Sequence, residues 1–201
     1  MAAKTWTWIF DQRWEVSGDL KSMKTLFNIT TSEDDVDRFG SAADFETMLN
    51  PHFDGVELMF YREDERQIIK KEHVIGYHMQ FYPTWLDFWK GNEERLLKEF
   101  DSKENWVRYY GSEGRSGIVR RLKEDLKMAH QYGAEYVVFH VSESTVEEAF
   151  TWNYHYMDEE VVDATAELLN EIFKEEDGQI ALFLENLWQP GLNFTRPEIT
   201  K

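Results

Sequence analysis

Tyr136-Val137-Val138-Phe139-His140-Val141 is the stretch that decides how this chain folds. The run is almost continuously apolar, so a strand built from it must be covered on both faces, as in a parallel sheet packed under helices. Immediately upstream, Ile118, Leu122, Leu126 and Ala129 recur at helical spacing over Ile118–His130. Gly133 follows, where a C-cap glycine ends a helix. Helix, glycine and doubly buried strand together make half of a βα repeat. The same alternation extends in both directions, with candidate strands at Leu26–Ile29, Gly55–Met59, Val74–Met79 and Ile180–Leu184. Candidate helices lie at Ser41–Leu49, with Ala42, Phe45 and Leu49 on one face, and at Asp158–Phe173, with Val161, Ala164, Leu168 and Ile172 on one face. Asp158 is placed to N-cap the latter and Gly178 to end it. Strands alternating with helices predict an α/β fold, a partial (β/α)8 TIM barrel of about five parallel strands.

Two segments stand outside this repeat. Residues 1–22 carry Trp6, Trp8 and Trp14 without a clear period and read either as an extension or tag, or as a short hairpin under the domain, which itself spans 23–201. Phe81–Gly117, rich in Trp, Tyr and charge, reads as a long βα loop on the functional face.

Composition narrows the function classes. With 42% hydrophobic and 15% aromatic residues in 201, the chain can bury a core of its own. Asp and Glu number 39 against 22 Lys and Arg, and a net charge of -17 repels polyanions, so no nucleic-acid partner is expected. The densest basic cluster, Arg115, Arg120, Arg121, Lys123 and Lys127, is interleaved with Glu113, Glu124 and Asp125 and reads as the solvated side of a helix. There is no cysteine, which removes disulfides, thiolate metal sites and cysteine nucleophiles together. No apolar run approaches the roughly 20 residues of a membrane span, and the N-terminus lacks the pattern of a signal peptide, so a cytoplasmic protein with no membrane partner is expected.

The chemistry-bearing residues sit at strand ends. His78, His140 and Glu185 each close an apolar strand, and parallel strands bring their ends to one rim. With all three of inward parity, on strands about 4.8 Å apart, two imidazoles and a carboxylate reach one cation. Two histidines plus one carboxylate, with a position left for water, is a catalytic zinc set that other divalent ions tolerate. Taken singly, a histidine in an apolar strand reads equally as a hydrogen-bonded core residue. A glutamate after Leu182-Phe183-Leu184 is harder to explain that way, because burying an unpaired carboxylate costs several kcal/mol.

Four phrases carry a resemblance: Phe53-Asp54-Gly55-Val56-Glu57-Leu58, Gly76-Tyr77-His78-Met79, Gly133 through His140, and Leu184-Glu185-Asn186-Leu187-Trp188-Gln189-Pro190-Gly191-Leu192. In that order and spacing, over residues 23–201, the chain resembles the xylose isomerase-like TIM-barrel superfamily, which includes sugar phosphate isomerases and epimerases and the AP endonuclease IV type of repair enzyme (AP endonuclease family 2). The resemblance implies that Glu185 binds a divalent metal (Zn, Mn or Mg) and moves a proton beside a carbonyl, with His78 and His140 as further ligands. It implies for Glu57 a substrate or supporting contact, for which a salt-bridged strand end is the alternative. Trp85, Phe88, Trp89 and Trp188 are candidates for an apolar wall against a sugar ring, plain core being the other reading of such aromatics. The implied activity is metal-dependent isomerisation or epimerisation of a small sugar or sugar phosphate. Endonuclease-like phosphodiester hydrolysis, which the charge opposes, and a non-catalytic barrel fragment acting through a partner are the alternatives.

The pattern also breaks. The family adds three further βα units carrying an Asp, a His and a Glu, and a barrel of this kind needs about 250 residues. On this reading the chain is truncated after its fifth strand, with little or no turnover expected of it alone. Two unpaired sheet edges then invite homo-oligomers.

Overall fold

The computed structural model describes residues 23–176 and 178–199, so the calls on Trp6, Trp8 and Trp14 and the extension they belong to lie outside the described residues. Five strands form one all-parallel sheet in sequential order: β1 Leu26–Thr30, β2 Gly55–Met59, β3 Val74–His78, β4 Tyr136–His140 and β5 Ala181–Glu185. Each falls within a residue or two of the expected run. Sequential parallel order with right-handed crossovers puts every connection on one face of the sheet, the winding of a partial barrel-like α/β fold.

The helices are α1 Glu33–Val36, α2 Ala42–Leu49, α3 Leu86–Lys90, α4 Glu93–Phe100, α5 Lys103–Tyr110, α6 Ser116–Tyr132, α7 Val146–Thr151 and α8 Asp158–Ile172. Ser41 N-caps α2 by accepting from the Asp44 amide, and Gly133 ends α6 in the left-handed conformation at φ 74°. The apolar faces expected for α6 and α8 are buried in full.

Three expectations are corrected. Phe81–Gly117 is largely helical, holding α3, α4 and α5. Asp158 is the first residue of α8 rather than its cap, the cap position being Met157, and its carboxylate instead accepts from the Gly191 amide and pairs with Arg196. Gly178 lies beyond a further 3-10 turn at Phe173–Glu175, so it does not end the helix.

Alternation along the strands sorts the two faces. Ile29, Val56, Leu58, Tyr77, Val137 and Phe139 lie under the helices with exposures of 5% or less. The opposite face, the inner one of a barrel, presents Asn28, Glu57, Gly76, Tyr136 and Ala181 at one level of the register. Gly76 is there because a β-carbon would stand 2.3 Å from Tyr136 Cζ. Its absence lets the Tyr136 ring cross β3, so that the hydroxyl reaches Glu57 on β2 at 2.6 Å.

Among the described residues β1 and β5 are the end strands and each has one neighbour. Phe183 and Leu184, on opposite faces of β5, are 54% and 40% exposed in consequence.

Candidate metal centre

His78 and His140 point from the ends of β3 and β4 to the inner face, and Glu185 from the end of β5, paired in register with His140. The structure brings all three together. Their ligand-type atoms lie within 4.8 Å of one another. The Nε2 atoms of the imidazoles are 2.9 Å apart, and Glu185 Oε2 is 3.1 Å from His140 Nε2 and 3.9 Å from His78 Nε2. A point equidistant from these three atoms lies about 2.0 Å from each, the bond length of zinc to imidazole and carboxylate.

Protonation favours the same reading. His78 Nδ1–H donates to the Met79 carbonyl at 2.9 Å, which in the neutral ring leaves the lone pair on Nε2, the nitrogen that faces the cluster. A single Nε2–H on His140 can serve either His78 Nε2 or Glu185 Oε2, and one acceptor is left over. A divalent cation satisfies all three at once. Burial, and secondarily the neighbouring His78, hold His140 below the ordinary imidazole pKa, while Glu185 pulls the other way. The neutral ring ligates through Nε2 only with its one proton on Nδ1, so binding a cation would shift that proton across the ring. The histidines are 6% and 9% exposed, whereas the Glu185 side chain is 47% exposed, so solvent reaches the centre from the β5 side.

The other expected site residues divide. Glu57 lies on the same inner face, accepting from Tyr136 Oη and from Asn28 Nδ2 at 3.2 Å, and its charge reaches His140. Trp188 is 46% exposed on the segment after β5. The expected aromatic wall is not assembled. Trp85, Phe88 and Trp89 are core residues at 5% exposure or less, and the Trp85 indole donates to the Ser142 carbonyl. The exposed aromatic surface on the inner face is instead Phe183, stacked on Tyr136 with centroids 4.5 Å apart.

Several supporting residues escaped the sequence reading. Asp125, taken there as part of a solvated helix side, is 1% exposed and accepts from the Gln80 amide at 2.7 Å and from Tyr77 Oη at 3.3 Å, with Arg121 3.4 Å away. Burial pushes its carboxyl up to about 6 against those donors. It fixes the exit of β3, two residues past His78. The signal was present in the spacing, since Asp125 lies seven residues after the buried Ile118 on the same helical face. Glu143 is 1% exposed and accepts from the Trp85 and Leu86 amides and from Thr84 Oγ1. Those amides belong to the start of α3 and lack intrahelical partners, so Glu143 caps that helix from the β4 loop. Phe81 packs its ring 4.4 Å from that of His140.

No protein-family model matches this sequence, and neither a curated protein nor a solved structure does.

Proposed function

We propose that this chain is a divalent-metal protein of the sugar isomerase or epimerase type, acting on a small sugar or sugar phosphate by proton transfer beside a carbonyl. The observation that carries the reading is the convergence of His78 Nε2, His140 Nε2 and Glu185 Oε2 on one point at the mouth of a parallel sheet. Two imidazoles beside a single carboxylate favour zinc, with manganese next and magnesium last. A cation held there supplies Lewis acidity toward a carbonyl oxygen.

The remaining roles fall to the chain. Glu185, half-exposed beside that position, takes the proton from the carbon next to the carbonyl and returns it. Glu57, pinned by Tyr136 and Asn28, accepts from a substrate hydroxyl. Phe183 offers its exposed ring to the C–H face of a sugar. The net charge of -17 favours an uncharged or singly phosphorylated substrate over a polyanion.

Deuterium wash-in tests the chemistry with one base and no completed isomerisation. Zinc- or manganese-loaded protein, incubated in D2O with a panel of ketoses and their phosphates, should label the carbon beside the carbonyl, and Glu185→Gln should not. Absence of label across the panel from metal-replete protein would remove the proton-transfer reading. We also place self-association at the open edges β1 and β5. Light scattering at micromolar concentration should give a multiple of 24.0 kDa, and a mass equal to one chain would exclude it.

A further inference from the structure

The two imidazoles of the centre are held by different means. His78 is oriented by a hydrogen bond from Nδ1 to the Met79 carbonyl, the usual way in which a ligating histidine is locked from behind. His140 has no such lock. Its Nδ1 is buried and finds no hydrogen-bond partner among the described residues, although the ring itself is 9% exposed. Its Nε2 contacts with His78 and Glu185 lie inside the cluster and give way when a cation takes that place, so behind the ring something other than a hydrogen bond must keep it from turning about its Cβ–Cγ bond.

The ring contacts identify it. Phe81 lies 4.4 Å from the His140 centroid at an interplanar angle of 46°, and 6.0 Å from the His78 centroid at 64°. The imidazoles meet edge to face at 4.6 Å and 86°. His140 is thus wedged between an aromatic ring and a histidine that is itself fixed. Phe81 in turn stands just past Gln80, whose amide is tied to the buried Asp125, so the wedge has a rigid mount.

We infer that Phe81 is a positioning residue of the metal centre, doing by packing for His140 what the Met79 carbonyl does by hydrogen bonding for His78. The inference rests on the metal reading above and deepens it. Loss of such an orienting contact typically costs 10- to 100-fold in metal affinity, and about tenfold is expected here because no hydrogen bond is broken.

The test uses the full chain with zinc and cobalt(II) as probes. Phe81→Ala should weaken zinc binding by about tenfold in competition with a chromophoric chelator, and Phe81→Tyr should restore it. In long-range 1H–15N spectra of metal-free protein, His78 should stay in one tautomer in every variant, whereas His140 should become averaged between tautomers in Phe81→Ala alone. A merely structural role for Phe81 would move the melting temperature without that selective change. If Phe81→Ala does not fold, Phe81→Leu, which keeps apolar bulk but no ring, takes its place with the same expected readouts. Wild-type protein that takes up cobalt in a histidine-bound site, together with a Phe81 variant of unchanged affinity and unchanged His140 signals, overturns this inference and leaves the metal centre standing. Wild-type protein that takes up neither ion overturns both.

Discussion

Replacing Glu185 by alanine is expected to lower zinc affinity by about a hundredfold or more while leaving the fold of the metal-free protein almost untouched. Apparent binding energies of about 10–16 kcal/mol in four-ligand zinc sites put one ligand near 3 kcal/mol, which is roughly a factor of a hundred. The second half of the expectation follows from place. Glu185 is the last residue of an end strand, its side chain is 47% exposed, and among the described residues its carboxylate hydrogen-bonds to His140. Removing it therefore opens no cavity. His140→Ala should lose at least as much affinity, but with a measurable cost in stability, since that ring is buried against Phe81 and His78. Chelator competition read beside thermal melts separates the two effects. Unaltered zinc affinity in Glu185→Ala would mean that the carboxylate is not a ligand.

The second large effect concerns Glu143. Glu143→Ala strips the acceptor from two buried amides at the start of α3 and from the Thr84 hydroxyl, and leaving buried donors unpaired costs about 1–3 kcal/mol each. A loss of about 3 kcal/mol or more is expected, with α3 and the Phe81–Tyr110 segment loosened first. Burial pushes the Glu143 carboxyl up to about 8 against the pull of those donors, from 4.5 when unfolded. The folded state therefore keeps a proton that the unfolded state has released, so this group stabilises most below about pH 4.5 and its contribution fades as pH rises toward 8. Glu143→Gln, permanently neutral, should be milder than the alanine change and should flatten that decline. Urea melts of the three proteins at pH 5, 6.5 and 8 read both. A Glu143→Ala protein as stable as wild type would show that α3 does not depend on this cap.

The parallel sheet was legible because its strands are short, mostly apolar runs set between segments of helical period, a pattern that survives without any tertiary information. His78, His140 and Glu185 were legible for a related reason, as ligand-type residues at the ends of apolar runs whose direction is common. What failed to show was whatever tertiary contact decides. Helix α4 buries only Leu96 among charged neighbours, so the period that marks α6 and α8 is missing from it. Trp85 resembles a ligand-facing aromatic in sequence, yet its indole N–H finds the Ser142 carbonyl, and the ring goes to the core. Glu143 follows β4 with nothing to mark it, because its partners are amides 58 and 57 residues earlier in the chain. The order in which Tyr136 spans Gly76 to reach Glu57 depends on a register that composition does not encode.

On the reading proposed above, two imidazoles and one carboxylate of this chain share a single cation. Zinc K-edge X-ray absorption on protein loaded with one equivalent tests it most directly. The expected spectrum is that of a low-coordinate zinc with two imidazole shells at about 2.0 Å and oxygen at similar distance, one imidazole being lost in His78→Ala. A spectrum of zinc surrounded by oxygen alone, or one unchanged by His78→Ala, would contradict it.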